Sequence, residues 1–174
     1  MSLTGFLVQF LNGLADASSL FMVAAGLSLI FGVTRIVNFA HGALYMVGVY
    51  VAYTLVQHVG PGTPWGFWGS VVLAGLVVAA LGVLIEILIL RRIYHAPELL
   101  QLLATFALVL LVRDAVYFAW GPEELFGPRA PGLGGSVDIL GRAFPQYDLL
   151  LIVAGPLVLL LLWLLLRRTR WGTL

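Results

Sequence analysis

Leu149-Leu150-Leu151-Ile152-Val153-Ala154-Gly155-Pro156-Leu157-Val158-Leu159-Leu160-Leu161-Leu162-Trp163-Leu164-Leu165-Leu166 is a run of eighteen residues without a polar side chain, and Arg167, Arg168 and Arg170 follow at once. A helix needs about 20 mostly apolar residues to cross the hydrocarbon of a bilayer. The run therefore predicts a membrane span ending in a cytoplasmic arginine stop. Pro156 removes a backbone donor and crowds the carbonyl of Ile152, so this helix is expected to bend there.

The rest of the chain agrees with that reading. Its 174 residues are 61% hydrophobic and 10% charged, and the mean hydropathy is +1.06. Soluble domains sit nearer one half apolar and one quarter charged. Four further runs stand out: Phe6 to Val33, Gly42 to Val56, Gly69 to Leu90 and Leu99 to Trp120. The fold expected is an all-α polytopic transmembrane bundle of about five spans, the second of them short enough to be broken or re-entrant. A secretory signal peptide is excluded for the first run, which is too long and lacks a positive charge before it.

Cytoplasmic connections collect arginine and lysine. Alternating crossings put Arg35, Arg91, Arg92, Arg167, Arg168 and Arg170 on one side, against Arg129 and Arg142 on the other. The first group is expected inside, which places the N-terminus outside and the C-terminal end of this chain inside. The segment 121–146, with six glycines and four prolines, is then an external loop. Val137 and Ile139 permit a short strand or hairpin in it, and a plain irregular loop is equally compatible.

Composition excludes several chemistries. All nine basic residues are arginine, so a Walker phosphate loop or a lysine Schiff base has no lysine to build on. No cysteine is present, which removes thiolate nucleophiles and thiolate metal sites. His41, His58 and His95 are scattered, without metal spacing. A net charge of +1 offers no field for nucleic acid. Neither a Gly-x-Ser-x-Gly nor a His-Glu-x-x-His arrangement occurs, so an intramembrane hydrolase is disfavoured and the chain is not read as an enzyme.

Helices in lipid pack through small residues. Gly75, Ala79, Gly82 and Glu86 fall at spacings of four, three and four and share one helical face, a candidate packing seam. Glu86 reads as a polar lining residue near the inner surface or, more simply, as a carboxylate paired with a neighbouring arginine. Arg113 and Asp114 diverge by about 100° on a helix and each needs another partner. An ion pair with the external segment is expected, and a place in a translocation path is the alternative. Asp16, near Asn12, Ser18 and Ser19, is water-facing or interfacial. Trp65, Phe67 and Trp68 read as an interfacial belt. Asn38 is placed to cap the following helix through backbone N–H groups.

One pattern is specific. Asn12-Gly13-Leu14, then 26–33 (Gly-Leu-Ser-Leu-Ile-Phe-Gly-Val), then 36–50 (Ile-Val-Asn-Phe-Ala-His-Gly-Ala-Leu-Tyr-Met-Val-Gly-Val-Tyr) closely resembles the permease subunits of branched-chain amino acid ABC importers. The likeness continues through Leu103-Ala104-Thr105 and Trp120-Gly121-Pro122-Glu123. It ends in Arg168-Thr169-Arg170-Trp171-Gly172, which is similar to the opening of that family's cytoplasmic coupling loop. After the first Asn-Gly-Leu this chain reads Asp16-Ala17-Ser18-Ser19-Leu20-Phe21 where the family commonly has a glycine and a tyrosine, so the lining of the first helix is expected to differ.

The resemblance implies a multi-pass inner-membrane permease of an ATP-driven branched-chain amino acid importer. Residues 1–174 are then a permease domain incomplete at its C-terminus, the N-terminal portion of a longer protein or a shortened relative. It also implies a second, homologous permease subunit, two cytoplasmic ABC ATPases that hydrolyse the ATP, and a periplasmic substrate-binding protein. The chain itself carries no cofactor. Asn38 and His41, with Gly42 as packing partner and Asp16 on the first span, are the candidate gate or path. Glu123, Glu124 and Arg129 are the candidate docking surface for the binding protein. The competing functions are an ATP-independent solute or ion channel, which would need a filter-like constriction, and a non-transporting assembly subunit.

Overall fold

The computed structural model describes residues 3–34, 38–59, 62–128 and 130–168, with the side chains of 33 and 34 left aside. Its elements are α1 (Leu3–Thr34), α2 (Ala40–His58), α3 (Pro64–Ile85), a π-helical turn (Glu86–Leu90), α4 (Arg91–Ile93), α5 (Glu98–Trp120), strands β1 (Ser136–Ile139) and β2 (Arg142–Pro145), and α6 (Gln146–Arg168). Four helical stretches among the described residues are long and apolar enough to span a membrane: Leu3–Gly32, Pro64–Ile93, Glu98–Trp120 and Gln146–Arg168. The fold is an all-α polytopic membrane bundle. α2, read from the sequence as the short second span, is not one of these four; it forms one unbroken helix of 19 residues, longer at both ends than its apolar run.

The chain divides into two compact units, Met1–Ala25 with Gly132–Leu174, and Gly26–Pro131. In the first, α1 meets α6 at one close point. Ala15 and Ser18, three residues apart, are buried on one side of α1, and Gly155 is buried on α6. A Cβ added at Gly155 would lie 2.8 Å from Ser18 Oγ, 2.9 Å from its Cβ and 3.3 Å from its Cα, so the backbones meet where only glycine fits. Pro156 lies within α6, as the sequence requires. Beside this contact Ala17, Phe21 and Leu159 help line a cavity of about 210 Å³.

The two strands of the same unit form an antiparallel hairpin pairing Val137 with Phe144 and Ile139 with Arg142. Leu140 and Gly141 make its two-residue turn, both at positive φ (55° and 81°), which is the backbone that a tight hairpin of right-handed twist demands. The segment 121–146 is thus partly a hairpin, resolving the two readings left open by its composition.

In the second unit α2 lies antiparallel to α3 and parallel to α5. A Cβ at Gly48 would stand 3.3 Å from Val78 Cγ2, and one at Gly82 would stand 4.0 Å from Leu44 Cδ1. As the residue number rises by four on one helix it falls by four on the other. α5 contributes a stripe of Gln101, Thr105, Leu108, Val112 and Val116, all buried, at helical spacings of four, three, four and four. Ala40 and Ala43 join Leu108 and Val112 in the core. The buried hydroxyls are satisfied within their own helices, Ser70 Oγ donating to the Gly66 carbonyl (2.7 Å) and Thr105 Oγ1 to the Leu102 carbonyl (3.1 Å), so they cost little in an apolar interface. α3 starts where Thr63 Oγ1 accepts from the Gly66 N–H (3.1 Å) with Pro64 in the first turn, a standard arrangement of start signals.

Candidate functional site

The polar residues of the second unit gather at the two ends of α2. At its N-terminal end, Asn38 is buried and its Oδ1 accepts the Ala40 N–H (3.0 Å), so it satisfies the first N–H of the helix as expected, from one residue before the N-cap position that Phe39 holds. His41, one residue into the helix, lays its ring against α1. A Cβ added at Gly26 would stand 2.9 Å from His41 Cε1 and 3.0 Å from Nε2. The glycine and the histidine therefore form a fitted pair between α1 and α2, a contact that separation along the chain hides from local reading. Gly42 is exposed, and a Cβ there would meet nothing within 4 Å. Asp16 is on an exposed side of α1, its carbonyl accepting from Ser19 Oγ at 2.9 Å.

At the same end of α2, α3 passes through the π-helical turn that begins at Glu86. The expected arginine partner of Glu86 is corrected here: the Tyr94 hydroxyl donates to Glu86 Oε1. The cause is the turn itself. Eight residues along an α-helix is about 80° past alignment, but a π turn absorbs one extra residue, so Tyr94 sits close to an i+7 position above Glu86. Burial, followed by the neighbouring Glu86, pushes the Tyr94 phenol up to about 12, against a smaller opposing effect of Arg91. Gln101 completes the corner, its Nε2 donating to the carbonyls of Ile93 (3.2 Å), Tyr94 (3.2 Å) and Ala96 (2.9 Å). Ile93 and Tyr94 close α4, where carbonyls run out of helical donors, and Ala96 stands in the turn that follows. Of the other seam positions, Gly82 faces Leu44, whereas Gly75 has nothing within 4 Å and Ala79 is exposed.

At the C-terminal end of α2, Trp120 Nε1 donates to Thr54 Oγ1 (2.8 Å), and Thr54 Oγ1 donates to the Tyr50 carbonyl (2.9 Å). The rings of Tyr50 and Trp120 stand 5.5 Å apart and tilted by 48°. Next to this cluster a cavity of about 310 Å³ is lined by Val49, Tyr50, Tyr53, Glu124, Leu125 and Phe126. Glu123 and Glu124 are both exposed. Arg129 lies outside the described residues.

The ion pair expected for Arg113 and Asp114 with the 121–146 segment is not seen among the described residues, and Arg129 of that segment lies outside them. Arg113 and Asp114 are both exposed, and the Arg113 guanidinium stands 5.2 Å from the centre of the Tyr117 ring one turn on. Arg167 and Trp163 repeat this arrangement on α6 at 5.4 Å. Each cation uses a ring of its own helix, which needs no partner from elsewhere. Trp65 and Trp68 are exposed at the start of α3, with Phe67 edge-on to Trp68 at 5.3 Å.

Comparison with known proteins gives one consistent result. A family model described as branched-chain amino acid transport system, permease component, matches residues 9–174. The high-affinity branched-chain amino acid transport system permease protein BraD of Pseudomonas aeruginosa is 28% identical over 174 residues, covering 96% of this chain and 57% of that protein. The corresponding LivH proteins of Salmonella typhimurium and Escherichia coli are each 25% identical over 178 residues, covering 96% of this chain and 56% of theirs. The chain thus spans about half the length of the curated relatives it matches. No solved structure matches it.

Proposed function

The chain belongs to the family of branched-chain amino acid transport system permease components, and from that membership we propose that it forms part of the translocation path of an ATP-driven importer of branched-chain amino acids. The observation that carries this reading is the seating of His41 on Gly26 beside the Asn38 cap. Alternating access moves packed helices between discrete arrangements around a path. A ring fitted to a glycine backbone is kept or lost as a unit, because a close contact of this kind has no intermediate position. Asn38 and His41 therefore act as the inner gate of the path, with Gly42 next to them on α2, and Asp16 of the first span is a separate candidate path residue.

The energy comes from outside the chain. These 174 residues hold no lysine for a Walker phosphate loop; the ATP is hydrolysed by partner subunits, and the assembly comprises a second permease subunit, two cytoplasmic ABC ATPases and a periplasmic binding protein in the bacterial inner membrane. The arginine distribution supports an external N-terminus, an internal Arg167–Arg168 end, and an external 121–146 loop. Glu123 and Glu124 with Arg129 then offer the binding protein a polar docking surface. Of the seam Gly75, Ala79, Gly82 and Glu86, the exposed Gly75 and Ala79 are left for helix packing in the assembly.

The test is ATP-dependent leucine uptake by the complete complex in proteoliposomes carrying His41→Ala. Uptake is expected to fall at least about tenfold, the scale of 1.4 kcal/mol in the gating equilibrium, with the complex still assembled by native mass spectrometry. Unchanged uptake overturns the gate assignment. Wild-type uptake that persists without ATP overturns the importer reading in favour of a channel.

A further inference from the structure

The cavity at the C-terminal end of α2 combines three kinds of chemistry. Glu124 supplies a carboxylate exposed to solvent. Tyr50 and Tyr53 supply phenol hydroxyls that make no hydrogen bond among the described residues. Val49, Leu125 and Phe126 supply an apolar wall. The floor is fixed, since Trp120 bonds Thr54, Thr54 bonds the Tyr50 carbonyl, and the Trp120 ring leans on the Tyr50 ring.

We infer that this cavity is an outer subsite for the zwitterion of a small apolar amino acid. Glu124 receives the α-ammonium, the hydroxyls of Tyr50 and Tyr53 donate to the α-carboxylate, and Val49, Leu125 and Phe126 cover the side chain. The inference rests on the importer reading and deepens it by naming a place where the amino acid binds and the groups that read it. A bare cation would leave the two phenol donors and the apolar wall without a role. A bare carboxylate would meet Glu124 as a like charge. Only a ligand carrying both charges and an apolar end uses all the groups, and a volume of about 310 Å³ is at the small end of ligand cavities. The position also separates Glu124 from Glu123: the first lines the cavity and the second does not.

The test is equilibrium binding of radiolabelled L-leucine to the complete complex, without binding protein, in nanodiscs of phosphatidylglycerol so that no lipid ammonium competes. Leucinol, which keeps the ammonium, and 4-methylpentanoate, which keeps only the carboxylate, serve as competitors. In the wild type leucinol is expected to compete better than 4-methylpentanoate. Glu124→Gln, on an exposed segment where folding is not at stake, weakens leucine and leucinol about tenfold, as loss of a charge-assisted hydrogen bond does, and leaves 4-methylpentanoate no weaker. Tyr53→Phe weakens leucine and 4-methylpentanoate together and spares leucinol. Leucine affinities within twofold of wild type in both variants overturn the subsite, and ATP-dependent leucine uptake by the same preparation would then leave the importer reading standing. A wild-type complex that neither binds nor imports leucine overturns both.

Discussion

Two kinds of glycine contact differ in how they announce themselves. Gly75, Ala79 and Gly82 recur on one face of α3 at the spacing that membrane helices use to pack, yet among the described residues a Cβ at Gly75 would meet nothing within 4 Å and Ala79 is exposed. Gly155 and Gly26 belong to no such repeat, yet each stands against a side chain so closely that a single methyl group would collide with it. A repeat of small residues marks a face that is able to approach a neighbour. Whether the neighbour comes from the same chain depends on contacts distant in sequence, which periodicity does not encode.

The sharpest break of this comparison is at Gly155. Gly155→Ala puts a Cβ 2.9 Å from Ser18 Cβ and 3.3 Å from its Cα, so relief requires α1 and α6 to separate. The expected loss is about 2 kcal/mol, within the range for overpacking and despite the helix propensity that alanine adds, read as reversible unfolding of the solubilised protein. Ser18→Gly in the same chain should recover most of it. Ser18→Ala should recover much less, because it removes only the hydroxyl. Equal rescue by both would mean that the hydroxyl, not the backbone approach, sets the limit.

Glu86 is the seam member with a side-chain partner of its own. Tyr94→Phe removes the donor to its carboxylate, and the expected cost is about 1 kcal/mol for a partly exposed bond to a charged group. The pH dependence follows from the raised phenol. A group that holds its proton more tightly in the folded state contributes fully below its ordinary value of 10.0 and loses that contribution as pH rises toward about 12. The wild type should therefore lose stability relative to Tyr94→Phe across that window and run parallel to it below. A constant difference up to pH 12 would show that the phenol is not held by burial and Glu86.

The spans were legible because apolar runs of this length have few alternatives, and Asn38 was legible as a cap because its role is local. α2 exceeds its apolar run because helix propensity and the Asn38 cap extend it past the residues that lipid selects. The partner of Glu86 was not legible, since an arginine reading assumes α-helical phase and the π turn changes the phase just at that carboxylate. Gly26 stood in the same recognisable block as Ser28 and Gly32, but nothing local tied it to His41. The cavity at Glu124 was half visible: the acids of the 121–146 segment stood out, while nothing local tied Tyr50 and Tyr53 to Glu124, Leu125 and Phe126, which line the same cavity.

Gly26→Ala tests the second fitted glycine, with a smaller effect on stability. The colliding atoms are at the far end of the His41 side chain, which shifts more easily than a backbone. Overpacking and the gain in helix propensity of about 1 kcal/mol nearly offset each other, so unfolding should move by less than about 1 kcal/mol. Uptake should fall, because the ring no longer seats. Gly26→Ala combined with His41→Ala should then match His41→Ala alone, and an additive loss would separate the two residues into independent roles.

The smallest expected effect on the chain is also the most informative about the seam. Ala79→Leu adds three carbons to an exposed position on α3, where surface substitutions change stability by about 0.5 kcal/mol or less. Unfolding of the isolated subunit should be unchanged within that margin. If the repeated small residues serve packing in the assembly, the same substitution should lower recovery of the complex with the second permease subunit proposed above several-fold, since a leucine on that face holds the helices apart. Full recovery would reduce the spacing of Gly75, Ala79 and Gly82 to composition, and leave the unpatterned glycines at 26 and 155 as the ones that shape the bundle.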